Sequence, residues 1–177
     1  MKKFFFFLLL VPFVVGAQQL RIDPKASYIT YEASHPVHDW SGTSTNVQGV
    51  VILENDVPTR MAFAAAVSSF NSKNSNRDAH ALEVLEALIF PKVSFYSDSI
   101  AWDEDKMNIS GQLTFHGTSL PLSTSAQWLP KEDRWVLQGE FDIQPSGFGI
   151  KLPSFMLVKM RDNIHISFHL ELRTFAP

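Results

Sequence analysis

Apolar and polar residues alternate with a period of two along most of this chain, and this pattern constrains the fold more than any other feature. Between residues 107 and 115, every second residue is apolar or glycine, and the residues between them are Asn, Ser, Gln and Thr. Successive side chains of a β-strand point to opposite faces, so the pattern predicts strands with one apolar and one polar face. We expect about eight such strands, over residues 27–34, 47–53, 61–67, 93–100, 107–115, 120–128, 135–143 and 164–172. Strands of this kind form an antiparallel sheet that closes on itself or folds into a sandwich.

One segment, residues 75–90, has a longer period. Its apolar residues recur at the spacing of one helical face: Leu82, Leu85, Leu88 and Ile89. Ser75-x-x-Asp78 matches a capping box, and Pro91 cannot continue a helix. The sequence therefore predicts a short helix over about residues 76–89, which covers an open end of the sheet structure.

The first residues have the pattern of an export signal. Lys2 and Lys3 precede a run of apolar residues at 4–15, and Val15-Gly16-Ala17 offers small residues for cleavage. The run is shorter than the roughly 20 residues of a transmembrane helix. We predict a signal peptide over 1–17, a single domain over 18–177, a periplasmic or secreted location, and no stable membrane span after cleavage.

Composition narrows the function classes. Without residues 1–17, 13 Lys and Arg face 18 Asp and Glu, which gives no basic face for nucleic acid. The chain has no cysteine, so thiol chemistry and disulfides are excluded. No feature of the sequence indicates an oligomeric state.

The predicted inner face combines bulky and small residues. Aromatic residues such as Phe63 and Phe168 alternate with small ones such as Ala65 and Gly139. An eight-stranded barrel is just wide enough to be filled by side chains or to hold one small ligand. Small residues opposite large ones can achieve close packing or leave a slot, so both a filled core and a ligand cavity stay open.

Two polar groups invite a chemical interpretation. His35, His38 and Asp39 are residue types that bind zinc, but no helical pairing supports a metal site, and we favour a structural turn in which Trp40 plugs a barrel end. Arg77, Asp78 and His80 have no nucleophile beside them. We interpret those three as a polar cluster that fixes the helix to the barrel rim.

Several motifs occur together along the chain. Asn76-Arg77-Asp78-Ala79-His80 is followed, after the helical segment, by Phe90-Pro91-Lys92-Val93-Ser94-Phe95. Residues 111–117 read Gly-x-Leu-Thr-x-x-Gly, with Pro121 after them. Trp40-Ser41-Gly42 and Phe148-Gly149-Ile150 fall in the expected order. Over essentially all of residues 18–177, the combination resembles the YceI-like family of exported bacterial proteins.

The resemblance implies a lipocalin-like antiparallel barrel that binds an isoprenoid-type lipid, such as a polyprenyl or quinone tail, with no other cofactor and no catalytic role. The apolar tunnel candidates are then Trp40, Phe63, Ala65, Leu82, Leu85, Phe95, Leu113, Phe115, Ala126, Trp128, Phe141, Phe148 and Phe168. The alternatives are a structural or stress-adaptor barrel with a filled core and, less favoured, a metal-dependent hydrolase that uses His35, His38 and His80.

Overall fold

The computed structural model describes residues 17–104, 106–155 and 157–174, so the predicted signal peptide lies outside the described residues except for Ala17. In this part of the chain there is one α-helix, α1 (Ser75–Val84), and 3₁₀ turns lie at Val67–Ser69 and Pro145–Phe148. The strands are β1 (Gln18–Ile22), β2 (Tyr28–His35), β3 (His38–Ser44), β4 (Val47–Glu54), β5 (Val57–Ala66), β6 (Lys92–Asp103), β7 (Lys106–Phe115), β8 (Thr118–Pro130), β9 (Trp135–Ile143), β10 (Ser154–Phe155), β11 (Val158–Lys159) and β12 (Ile164–Thr174).

Eight strands form a closed antiparallel barrel, which confirms the predicted architecture. Their order is β1-β4-β5-β6-β7-β8-β9-β12, and pairing between β1 and β12 closes the ring. β1 pairs with only the last residues of β12, whereas β2 pairs with its first half, from Ile164 to His169. β3 then pairs with β2 and meets the segment after β5 through a bridge between Thr43 and Asn71. The wall is therefore continuous at both ends of the barrel.

Antiparallel strands place their connections alternately at the two ends of the barrel. We call the end with the β2–β3, β5–β6, β7–β8 and β9–β12 connections the helix end, because α1 lies in the β5–β6 connection. The opposite end, with the β4–β5, β6–β7 and β8–β9 turns, is the far end. Among the described residues, no helix is long and apolar enough to cross a membrane.

Four of the described strands were not predicted, namely β1, β3 and the two-residue strands β10 and β11. His38–Ser44, which we expected to be part of a turn, is strand β3. The turn is limited to Pro36 and Val37, because His35 already pairs with His38. Trp40 therefore stands in the barrel wall opposite Ala33 and does not plug an end.

The helix is shorter than predicted and is capped differently. It ends at Val84, and Glu86 has a left-handed φ of 45°, which turns the backbone out of the helix. Leu88 and Ile89, expected on the buried face, are 102% and 67% exposed. The N-cap is Asn74, whose side chain accepts a hydrogen bond from the Arg77 N–H, so the expected capping box at Ser75 is wrong.

The barrel interior is solid at the far end. A buried cluster fills it and includes Leu20, Leu53, Met107, Trp128 and Leu172. At the helix end a second, smaller cluster packs Leu113, Phe148 and Ile150 against the wall, with Val84 and Leu85 from the helix beside it. The two clusters leave a space between them.

Candidate ligand-binding cavity

A cavity of about 310 Å³ occupies the helix end of the barrel. The surface of the solid core that faces the helix end forms its floor, with Met61, Ile109, Leu137 and Leu170. Leu82 and Leu85 of the helix segment line it from the other side. The volume lies at the lower limit of the roughly 300–1,000 Å³ typical of ligand sites. Composition alone allowed either a filled core or a ligand cavity. The barrel has both, because its interior is filled at the far end and hollow at the helix end.

Two aromatic rings that line the cavity approach glycines of the neighbouring strands closely. Gly49 pairs with Phe63, and Gly139 pairs with Phe168, across neighbouring strands. A Cβ at Gly49 would lie 2.3 Å from Phe63 Cδ1, and one at Gly139 would lie 2.8 Å from Phe168 Cζ. Because the glycines lack side chains, the rings rest on the backbone of the adjacent strand. Both rings therefore lie against the wall of the cavity.

The polar part of the cavity wall is concentrated where α1 meets β2 and β3. Tyr31, Trp40, Arg77 and Asp78 all line the cavity there, and the Arg77 guanidinium lies 5.7 Å from the centre of the Trp40 ring. Burial raises the pKa of the Tyr31 phenol, as does the Asp78 carboxylate, while Arg77 and a hydrogen bond with Trp40 act in the opposite direction. Tyr31 is therefore protonated at neutral pH and keeps a hydroxyl donor at the cavity wall.

The residues of the predicted polar cluster, Arg77, Asp78 and His80, make different contacts. The Asp78 carboxylate accepts hydrogen bonds from the Ser72 N–H at 3.1 and 3.3 Å, which ties the helix to the loop before it. His80 also lines the cavity, but its side chain is 63% exposed and lies 3.6 Å from Glu83. The three residues are neighbours in the structure, and their function remains a prediction.

His116, which was not among the predicted site residues, links the segment after the helix to the barrel. Its side chain is only 9% exposed, and its Nε2 lies 2.9 Å from the Glu86 carboxylate. Its Nδ1 lies 3.2 Å from the Phe148 carbonyl oxygen, and its ring is 4.5 Å from that of Phe90. A histidine beside a glycine in a predicted turn gives no signal of these long-range contacts.

Ten of the thirteen tunnel candidates line the cavity, and their role in binding remains a prediction. These are Trp40, Phe63, Ala65, Leu82, Leu85, Phe95, Leu113, Phe115, Phe141 and Phe168. Ala126 and Trp128 do not line it, because they point inward at the far end and belong to the solid core. Phe148 is also absent from the wall, since it packs behind it against Phe115. Tyr31, Pro153 and Met160 also line the cavity and were not among the predicted residues.

The histidines of the hydrolase alternative do not converge. The His35 Nε2 is 2.9 Å from the Val158 carbonyl oxygen, and its Nδ1 accepts the Val37 N–H at 3.2 Å. The rings of His35 and His38 are 5.8 Å apart, while His80 stands exposed on the helix. Within the described ranges, no three His, Cys, Asp or Glu side chains come together in a way that could hold a metal ion.

The fold and the site together define a closed antiparallel β-barrel with an apolar cavity at one end and a polar cluster on the cavity wall. The chain belongs to the YceI-like family, since the model of the YceI-like domain matches residues 20–172. This confirms the resemblance carried by the motifs.

Relatives and solved structures agree with this assignment. "Protein YceI" of Salmonella newport (strain SL254) is 24% identical over an alignment of 127 positions, which covers 67% of this chain and 66% of that protein. Among solved structures, Burkholderia cenocepacia BcnA has a TM-score of 0.77 at 18% identity, covering 85% of this chain and 98% of its own. A polyisoprenoid-binding domain from Saccharophagus degradans, implicated in plant cell wall breakdown, has a TM-score of 0.72 at 12% identity, covering 88% and 98%. At these identities the structures show the shared fold.

Proposed function

We propose that this barrel binds the tail of an isoprenoid-type lipid and acts as a carrier, buffer or sensor of it rather than as an enzyme. The observation that carries the proposal is the hollow helix end, whose wall is almost entirely aliphatic and aromatic. Burying apolar surface is favourable by roughly 25 cal/mol per Å², so a hydrocarbon chain gains affinity with each carbon inside. The polyisoprenoid-binding domain of the same fold supports this class of ligand.

The closed floor of the cavity also supports one orientation of the bound lipid, with its tail innermost. The cavity floor is closed by buried side chains such as Met61 and Leu137, so the tail goes in first from the helix end. The polar groups of Tyr31, Arg77 and Asp78 then lie beside the part of the lipid nearest the headgroup. The cluster has one positive and one negative side chain and hydroxyl and indole donors, which suits a polar group of low net charge.

Lipid extraction tests the proposal directly. Protein purified from its native host is extracted with organic solvent, and the extract and the intact complex are analysed by mass spectrometry. We expect a stoichiometric lipid with an isoprenoid tail. A protein that is empty from its host, and that stays empty when incubated with polyprenyl lipids and quinones, would contradict the proposal.

We further propose that the chain is exported and that residues 1–17 are removed. Lys2 and Lys3 before the apolar run, and the small residues at Val15-Gly16-Ala17, support this. Fractionation of the host cells, together with the intact mass of the protein, tests it. A protein that begins at Gln18 and is recovered outside the cytoplasm is expected; a full-length protein in the cytoplasmic fraction would refute export.

A further inference from the structure

The exposed aliphatic side chains of this molecule are concentrated around the cavity. Leu88 and Leu157 are 102% and 100% exposed, the highest values among the large apolar residues of the described chain. Leu88 lies in the β5–β6 connection and Leu157 in the β9–β12 connection, so both are at the helix end. Ile89, Val158 and Val37, at 67%, 44% and 65%, lie at the same end. In a water-soluble barrel these side chains would be more stable buried.

Two aliphatic tips project from the cavity wall itself. The first, Leu88 and Ile89, follows Leu85, which lines the cavity, and the His116–Glu86 contact holds its base. The second, Leu157 and Val158, lies on the short β10–β11 hairpin. This hairpin emerges between Pro153 and Met160, which also line the cavity and are joined by a backbone hydrogen bond of 3.0 Å. Each tip is thus exposed to solvent and lies within a few residues of side chains that line the cavity.

The second tip holds Leu157 in an exposed position on an anchored hairpin. Leu157 has a left-handed φ of 65°, a conformation in which Gly or Asn would be less strained. The hairpin is anchored on the barrel, since the His35 Nε2 donates to the Val158 carbonyl oxygen at 2.9 Å. A fully exposed leucine is thus held at the tip of an anchored hairpin.

Basic side chains flank the second tip, whereas the first tip follows Glu86 along the chain. Lys151, Lys159 and Arg161 flank the second tip and are all exposed. The one acid among residues 144–163, Asp162, accepts hydrogen bonds from the Ser146 N–H and hydroxyl. The described far-end connections carry Asp56, Glu104, Glu132 and Asp133 against Lys131 and Arg134. The helix-end connections carry Lys73, Arg77, Lys151, Lys159 and Arg161 against Asp78, Glu83, Glu86 and Asp162. The described far-end connections are thus net acidic, whereas those of the helix end have a small net positive charge that is concentrated around the second tip.

We propose that the helix end is a docking surface for a lipid bilayer with anionic headgroups, in which the two tips insert among the lipids and the lysines contact the headgroups. Aliphatic side chains bordered by basic residues are the pattern of interfacial membrane binding. Docking in this orientation joins the bilayer interior to the cavity through apolar surface. The surface goes beyond the proposed function, because vesicle binding can be measured whatever the cavity contains.

Vesicle co-sedimentation tests the surface, with vesicles of phosphatidylethanolamine and phosphatidylglycerol compared with phosphatidylcholine alone. We expect the purified chain to bind the anionic vesicles and to dissociate as salt is raised. Leu157→Ser with Val158→Ser, and Leu88→Ser with Ile89→Ser, should each weaken binding by about tenfold or more. Val57→Ser with Trp102→Ser, exposed residues at the far end, is the matched control and should bind like the unchanged chain.

Charge variants separate the two parts of the surface. Lys151→Glu with Lys159→Glu should weaken binding to the anionic vesicles, whereas Lys131→Glu at the far end should not. Tip variants that fold normally and bind vesicles like the unchanged chain would overturn the proposal. So would a chain that ignores vesicles but forms a dimer that the tip variants dissociate, because a second copy would then cover the surface. Vesicle binding by a chain that never holds lipid would refute the proposed function and support the docking surface.

Discussion

Replacing Ala65 by tryptophan should block the cavity without damaging the barrel. Ala65 is 4% exposed, lines the cavity and lies between Val47 and Val93 on the neighbouring strands. Its side chain points into the hollow half, so an indole there has space that it would not have in the solid half. The variant therefore tests whether this space, and not another surface, holds the ligand.

The size of the effect follows from volume. Trp in place of Ala adds about 140 Å³ at the packing density of protein interiors. The added indole projects into the cavity of about 310 Å³. At roughly 30 Å³ per methylene-sized group, the indole displaces about five carbons, or one isoprene unit. At about 0.8 kcal/mol per buried methylene, the loss is about 4 kcal/mol, or about a thousandfold in Kd.

Two further tryptophans serve as controls. Ala126 is 3% exposed in the solid core, and its Cβ lies only 3.2 Å from where a Cβ would stand on Gly139. Ala126→Trp should therefore lower Tm by about 5 °C or more, because overpacking costs about 1–3 kcal/mol. Ala101→Trp, at an exposed position, should change neither Tm nor binding.

The assay is titration with a fluorescent polyprenyl probe, with lipid occupancy read by native mass spectrometry and folding read by thermal unfolding. We expect Ala65→Trp to keep a cooperative transition close to that of the unchanged chain and to lose the lipid. A folded Ala65→Trp protein with unchanged probe affinity and occupancy would refute the reasoning, since the ligand would then bind outside the cavity.

Two other predictions concern stability. Gly139→Ala should lower the free energy of unfolding by about 1–3 kcal/mol, because its Cβ would lie 2.8 Å from Phe168 Cζ. Gly147→Ala, whose Cβ would approach nothing closer than 3.4 Å, is the control in urea unfolding, and equal losses in both would contradict the account. A hydrogen bond to Asp142 raises the pKa of His165, so this pair stabilises the fold fully below about pH 6.5 and less as the pH rises through the folded pKa. The destabilisation by Asp142→Asn should therefore be larger at about pH 5.5 than at pH 8; an equal effect at both would disprove the linkage.

Alternation was sufficient to predict the barrel, but it missed β1, which closes the ring, and β3, which pairs with β2. β1 has only five residues, which is too short for a period of two to stand out. β3 has one large inward residue, Trp40, and then Gly42 and Ser44. Gly42 is small because the Tyr31 ring of β2 covers it, and a Cβ there would lie 2.5 Å from that ring. β3 therefore lacks an apolar face of its own in the sequence, because the Tyr31 ring of β2 covers its inner side at Gly42.

The residues that line the cavity were only partly predictable from the sequence. Alternation tells which side chains point inward but not how far along the barrel axis they lie. Ala126 and Phe141 both point inward, yet the first lies in the solid half and the second in the cavity wall. Depth along the axis depends on strand register, which brings Ala126 opposite Gly139 and Met107. Once the turns of a sequence fix that register, inward residues near the helix-bearing connection line the cavity, and those near the opposite turns fill the core.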